Sequence, residues 1–147
     1  DARASGAWAR DGSLHVVDAA ARRAPGNRYT AATALVAARL PFDKRADGTL
    51  VRLDSFGDVA SVQVVLKNST ANVGKSFVHA HAQAQLTLLL RGSSLARVGD
   101  VEHVLAPGDL VYVPPNVVHN FTDLSADVHV LDIFLPSRAS PNDVPGV

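Results

Sequence analysis

The sequence predicts an all-β domain, either a sandwich or a closed barrel. From Gly48 onward, short runs of Val, Leu, Ile and Phe are separated by Gly, Pro, Asn, Asp and Ser, at intervals near the about 8 to 12 residues typical of all-β proteins. No strands alternate with helix-length segments, so a parallel α/β sheet is not expected. The 147 residues, nearly half of them apolar, fit one domain with a substantial core.

Nine segments in this region are predicted to be strands. The turns between them contain Gly, Pro, Asn or Asp, the residues that favour tight turns. The predicted strands are 50–53, 61–67, 76–81, 85–91, 95–98, 102–105, 110–113, 119–122 and 128–135.

The amino-terminal part has a different composition, rich in Ala and Arg, and residues 1–47 are interpreted as an extension to the barrel. A strand is predicted at 14–17. Residues 30–40 fit either a helix or a strand, and Pro41 ends that element in both cases. The domain division is therefore an extension over 1–47, a barrel over 48–138 and a tail over 139–147.

Composition excludes several functions. Fourteen basic residues balance fourteen acidic ones, so no charge field indicates nucleic acid or an anionic membrane as a partner. No apolar run approaches the about 20 residues needed to cross a bilayer, and the absence of cysteine removes disulfides, thiolate ligands and a cysteine nucleophile. We expect a soluble protein, cytoplasmic, or secreted or periplasmic if a signal peptide has been removed.

The segment HAHAQAQ, residues 79–85, contains two of the six histidines. In an extended strand, residues two apart share a face, so His79, His81, Gln83 and Gln85 point the same way; alone, the pattern also fits a polar sheet edge. His119 lies among apolar residues further along. A His-x-His pair and a third histidine on a neighbouring strand can hold a divalent metal and leave coordination positions open.

These two segments resemble the two motifs of the cupins in order and spacing. The first motif corresponds to Gly74, four residues, His79-Ala-His81, three residues, Gln85, six residues and Gly92; the second corresponds to Gly108, five residues, Pro114-Pro115-Asn116, two residues, His119, three residues and Asp123. The resemblance implies an RmlC-like jelly-roll antiparallel β-barrel, a homodimer, and one divalent metal held by His79, His81, Gln85 and His119.

Three positions depart from the cupin motifs, and one of them is Asp123 in place of an asparagine. Asn116 replaces a glycine, and Asn is among the few residues that accept a left-handed turn conformation. Gln85 replaces a glutamate, so the protein ligands carry no charge and the site is expected to favour an anionic substrate. Imidazole and amide ligands suit Zn, Ni, Fe, Mn and Cu to different degrees, so the identity of the metal stays open.

The run VHVLDIFLPSR, residues 128–138, places Val128, Val130, Asp132 and Phe134 on one face of a strand. Its ending resembles that of small KdgF-type cupins, which linearise unsaturated monouronates. That resemblance implies Asp132 as the proton shuttle, Phe134 as a pocket wall and Arg138 as a clamp for the substrate carboxylate. A guanidinium suits that role because it can bind a carboxylate at two points.

Other polar residues are weaker candidates. Tyr112 alternates with Leu110 and Pro114, so it is expected to bind substrate in the cavity or to pack in the core. Gln63 and Arg52 are candidates for lining the barrel, and Gln83 is expected at a bend. His15, His103 and His129 lack ligand-like spacing and are expected to be structural or exposed.

The function predicted from these observations is that of a metal-dependent enzyme with lyase or isomerase chemistry on a small anionic oxo acid or sugar acid. Two alternatives remain open. One is a three-histidine iron-dependent dioxygenase, and the other is a binding protein whose metal site is not catalytic.

Overall fold

The computed structural model describes residues 42–138 in full, and in the amino-terminal part only the backbone of four short strands. Strand β2 coincides with the strand predicted at 14–17, and β4 lies within 30–40, where the sequence left helix and strand open. The rest of those predictions and the tail at 139–147 lie outside the described residues. The four strands are β1 (Ala7–Trp8), β2 (Leu14–Val17), β3 (Asn27–Tyr29) and β4 (Thr33–Leu35).

Residues 42–138 form an antiparallel β-barrel of two sheets, which confirms the predicted all-β fold. The larger sheet has the order β11-β8-β13-β7-β6, with β5 paired to β6 on one side and β3 added to it in parallel; the smaller sheet has the order β10-β9-β12. The strands are β5 (Asp43–Lys44), β6 (Leu50–Phe56), β7 (Ala60–Asn68), β8 (Ala84–Arg91), β9 (Ser94–Val98), β10 (Val101–Leu105), β11 (Leu110–Val113), β12 (His119–Asp123) and β13 (Asp127–Leu135).

Eight of the nine predicted strands are present, and β5 begins before the predicted barrel boundary at residue 48. The strand predicted at 76–81 is wrong. In that segment only His79 pairs with another strand, through reciprocal backbone bonds with His119. No helix among the described residues is both long and apolar enough to span a membrane.

Strand β13 is the central element of the barrel because it pairs with β7 on one side and β8 on the other. Its alternation directs Val128, Asp132 and Phe134 inward, where all three are buried. Paired residues of neighbouring strands share a face, so the register brings Gln63 of β7 and Thr87 of β8 beside Asp132. A hydrophobic core cluster forms around Leu89, Ala96, Leu105 and Val128.

Candidate metal centre and cavity

The three motif histidines are oriented by their own backbone. The Nδ1 atom of His79 lies 3.0 Å from the carbonyl oxygen of Phe77, that of His81 lies 2.9 Å from the carbonyl of Gln83, and that of His119 lies 2.8 Å from the carbonyl of Val117. A carbonyl can only accept, so each Nδ1 carries the hydrogen and donates it. In the neutral ring, Nε2 then holds the lone pair on all three histidines.

These local bonds also explain why 76–81 is not a strand. Each ring bonds to a carbonyl two residues away, and such side-chain to backbone bonds compete with a regular ladder. The bend at Ala82 and Gln83 then directs Gln85 back toward the histidines. Gln83 lies at this bend, as the sequence predicts, and it contributes its backbone carbonyl to His81 rather than its side chain to the site.

The second motif is fixed against the first by its turn. Asn116 has a φ of 62°, the left-handed conformation that the sequence predicts there. Its N–H donates to the carbonyl of His81 at 2.8 Å. Since the backbones of His79 and His119 are bonded in both directions, two segments distant in sequence are locked together at the site.

The three histidines converge at one point, with a potential ligand atom of each lying within 4.8 Å of the others. Nε2 of His119 is buried and has no hydrogen-bond partner among the described residues. Burial lowers the pKa of the His119 ring to about 4, and burial likewise lowers the pKa of His79. Neutral rings with converging lone pairs and one unsatisfied buried nitrogen fit a metal cation.

Gln85 supports the same conclusion. Its amide nitrogen donates to Oγ1 of Thr87 at 2.8 Å and to Oδ1 of Asp132 at 3.1 Å, which turns the amide oxygen toward His81. This oxygen lies 2.9 Å from Nε2 of His81. At this distance the two atoms share either a proton on Nε2 or a cation that both can bind. The donor set of three imidazoles and one amide oxygen therefore suits a divalent metal.

Asp132 is a buried carboxyl connected to this donor set. Thr87 Oγ1 donates to its Oδ1 at 2.6 Å, and Gln85 donates to the same oxygen. Burial raises the pKa of Asp132, while the bonds from Thr87 and Gln85 and the positive charges of Arg138 and Lys67 act to lower it. Both of these hydrogen bonds are made to Oδ1, and Asp132 lines the cavity described below.

Arg138 follows β13 and is folded back into the barrel. Its backbone N–H donates to Oγ of Ser61 at 2.9 Å, and Oγ of Ser55 donates to its carbonyl at 3.0 Å. The guanidinium carbon lies 4.4 Å from the ring centroid of Phe134, a cation–π distance. The Phe134 ring also meets His81 edge-on, with the ring centroids 5.6 Å apart. Arg138 and Phe134 thus stand beside the histidines.

A cavity of about 440 Å³ opens at this site. The cavity is lined by Asp132, Gln85, Phe134 and Arg138, and also by Gln63, which alternation along its strand made a candidate. A second chamber of about 290 Å³ adjoins the first, because six residues line both. Those shared residues are Arg45, Lys67, Phe77, His79, Phe121 and Asp123.

Two predicted positions are corrected by the structure. Tyr112 lies outside the cavity and outside the core, with 57% of its surface exposed, because Val113 takes the inward position on β11. Arg52 does not line the cavity; it forms a buried ion pair with Asp54, on the face of β6 opposite Leu53.

Three histidines were expected to be structural or exposed, and the two whose side chains the structure describes, His103 and His129, do not contribute to the site. His103 is exposed on β10, and His129 bonds to Asn68, while the side chain of His15 lies outside the described residues. Sequence reasoning missed Thr87, Lys67 and Phe77. Alternation along β8 and β7 could have found Thr87 and Lys67, since they share faces with Gln85 and Gln63.

Comparison with known proteins agrees with this fold. Residues 69–134 match the family model of the cupin domain. An uncharacterized protein of Streptomyces coelicolor is 38% identical over 59 residues, which cover 40% of this chain and 56% of that protein. The match thus spans little more than half of that relative. Residues 69–134 therefore match the cupin domain, and they lie within the β-barrel of residues 42–138.

Solved structures show the same fold at low sequence identity. An RmlC-like cupin from Shewanella frigidimarina has a TM-score of 0.61 at 23% identity, covering 70% of this chain and 89% of that chain. KdgF from Halomonas sp. has a TM-score of 0.62 at 19% identity, covering 70% and 92%. Oxalate decarboxylase from Bacillus subtilis has a TM-score of 0.60 at 16% identity, covering 70% and 29%.

Proposed function

We propose that the protein is a metal-dependent cupin enzyme with lyase or isomerase chemistry on a small anionic oxo acid or sugar acid. The observation that carries this proposal is the convergence of three Nε2 lone pairs and the Gln85 amide oxygen beside Asp132 and Arg138. His79, His81, Gln85 and His119 would hold one divalent metal. The metal would act as a Lewis acid on a carbonyl or hydroxyl oxygen of the substrate.

Other side chains of the site bind the substrate and transfer the proton. The Arg138 guanidinium binds the substrate carboxylate. It is held in place by the Phe134 ring and by the hydrogen bonds that the Arg138 backbone accepts from Ser55 and donates to Ser61. The free oxygen of Asp132 exchanges a proton with the substrate. The uncharged donor set favours an anionic substrate, since the protein ligands leave the charge of the metal uncompensated.

The similar solved structures support this proposal. One is KdgF from Halomonas sp., the type of cupin that the ending of β13 resembles. Another is an oxalate decarboxylase, a lyase acting on a small dicarboxylate, and its Mn(II) centres are named in a further structure of that enzyme. The fold that oxalate decarboxylase shares with this chain is therefore compatible with metal-dependent chemistry on a small acid.

Elemental analysis of the purified protein tests the metal site. We expect about one divalent metal per chain in the wild type, and its loss in His119→Ala and in the less buried His79→Ala. His103→Ala, which removes an exposed histidine of β10, is the matched control and is expected to keep the metal. A wild-type protein without metal after incubation with Zn²⁺, Ni²⁺, Mn²⁺, Fe²⁺ and Cu²⁺ would refute the proposal.

Turnover separates the reaction classes. NMR of the metal-loaded protein with a panel of small oxo acids and sugar acids, which includes a 4,5-unsaturated uronate and aromatic oxo acids, is expected to show conversion of at least one of them without oxygen uptake. Asp132→Asn should keep the metal and lose turnover, and Arg138→Gln should chiefly raise KM. Oxygen consumption with a chelating diketone would instead identify the dioxygenase alternative, and a loaded protein inactive on a panel of oxo and sugar acids would identify a binding protein.

A further inference from the structure

We infer that the cavity binds an oxo acid with an apolar body and a hydroxyl at its far end, and that Lys67 and Asp123 together bind this hydroxyl. The inference rests on the proposed function, because it assigns the carboxylate end of the ligand to Arg138 and the metal centre. It adds a second polar subsite in the same cavity and narrows the class of substrate.

The Lys67–Asp123 pair lies at the opposite end of the cavity from the metal centre. Asp123 follows His119 by four residues on β12, and Lys67 follows Gln63, the partner of Asp132, by four residues on β7. Four residues of a strand span about 13 Å. The backbone of Asp123 therefore lies about 13 Å along β12 from His119, and the backbone of Lys67 lies about 13 Å along β7 from Gln63, the partner of Asp132.

Between the two ends the cavity wall is apolar. Val65 of β7 pairs with Val130 of β13, halfway between the level of Asp132 and that of Lys67. Phe121 occupies the corresponding midpoint of β12, and all three residues line the cavity. A ligand that reaches both ends must therefore present apolar groups at its middle, because hydroxyls there would lose their water without gaining partners.

The chemistry of the pair fits a hydroxyl. Lys67 Nζ donates to Oδ2 of Asp123 at 2.7 Å, with Asp123 buried and Lys67 27% exposed. Among the described residues this is the one hydrogen bond of the Lys67 ammonium, which has three donors. A hydroxyl can accept from Lys67 and donate to Asp123 at once. A second carboxylate would meet the negative charge of Asp123, so a dicarboxylate is disfavoured at this end.

Phenylpyruvate and 4-hydroxyphenylpyruvate are suitable probes, since they share the oxo acid and the apolar ring and differ only in the terminal hydroxyl. Calorimetric titration of the metal-loaded protein is expected to show binding of the hydroxylated compound about tenfold tighter. Galacturonate, an acid with hydroxyls along its whole length, is expected to bind more weakly than 4-hydroxyphenylpyruvate.

The double variant Lys67→Met/Asp123→Leu removes both polar groups without leaving a buried unpaired carboxylate. In this variant the ratio of the two phenylpyruvate dissociation constants should fall to about one, with phenylpyruvate itself bound as before. Lys44→Met is the matched control because Lys44 is an exposed lysine of β5 that does not line the cavity. It should keep the tenfold ratio.

Three results would overturn the inference: a tenfold ratio that persists in the double variant, tighter binding of galacturonate than of 4-hydroxyphenylpyruvate, or no binding of either phenylpyruvate to the loaded protein. None of these three binding results changes the metal content of the protein, so none of them contradicts the proposed function. Failure of the proposed function has a different signature, the absence of metal from the wild-type protein.

Discussion

The hydroxyl of Thr87 lies 2.6 Å from Oδ1 of Asp132 and accepts a hydrogen bond from the Gln85 amide at 2.8 Å. Thr87 thus connects the amide ligand of the candidate metal centre to the buried carboxyl. Its β-branched shape fills a fully buried position, so valine can replace it with the same volume and without the hydroxyl.

We expect Thr87→Val to lower both stability and metal affinity. Loss of the buried hydrogen bonds should cost about 1 to 3 kcal/mol of the free energy of unfolding. The less firmly oriented Gln85 should reduce metal affinity about 10- to 100-fold. Urea denaturation and zinc titration against a competing chelator measure the two effects. Thr122→Val, at a half-buried hydroxyl outside the cavity, is the control, and an equal loss there would contradict the role given to Thr87.

Gln85→Glu should make the protein more dependent on metal. A carboxylate at this position faces Oδ1 of Asp132, now 3.1 Å from the amide nitrogen, so the metal-free protein loses stability by repulsion. With metal bound, the added negative charge compensates the cation. The rise in Tm on adding zinc should therefore be larger than in the wild type. Gln83→Glu, the same change at the bend, should leave that rise unaltered.

The metal-free protein should lose stability in acid through His119. The pKa of this ring is about 4 in the folded protein and near 6.5 when unfolded. Above pH 6.5 the ring is neutral in both states and contributes nothing. As the pH falls from 6.5 to 4, only the unfolded chain takes up the proton, which costs up to about 3 kcal/mol of stability.

Urea denaturation of the chelator-treated protein at pH 7, 5.5 and 4 measures this loss. His119→Gln should flatten the dependence, whereas His103→Gln, at an exposed ring, should not. If the His119 variant keeps the full slope, other groups cause the acid sensitivity.

Gly92→Ala should be strongly destabilising. A Cβ at Gly92 would lie 1.9 Å from the carbonyl oxygen of Asp127, and its φ is 85°. Overpacking together with the left-handed conformation should cost about 2 to 4 kcal/mol. Gly48 is a matched control, since its φ is 83° and nothing lies within 4 Å of its Cβ. Gly48→Ala should cost about 1 kcal/mol, and thermal unfolding compares the two.

The sequence predicted the barrel because its strands alternate regularly and its turns contain residues that favour turns. Strand β13 is the clearest example, because the inward positions of Asp132 and Phe134 follow from the alternation of side chains along the strand. The left-handed turn at Asn116 was also predictable, because few residues accept that conformation.

The failures have local physical causes. Residues 76–81 look like a strand, yet the rings of His79 and His81 bond to nearby carbonyls and the chain bends instead. The Tyr112 side chain lies in neither the cavity nor the core, because Val113 takes the inward position on β11. The pairing of Lys67 with Asp123 joins strands 56 residues apart, which no local pattern reveals.

The three bonds from Nδ1 to backbone carbonyls bear on how quickly the site exchanges its ion. Each ring keeps its Nδ1 hydrogen and offers Nε2 without turning, so uptake of the ion needs little rearrangement. Such a site is expected to load fast. It would also accept whichever suitable ion is most abundant, so the metal found in the protein depends on the supply around it as much as on the ligands.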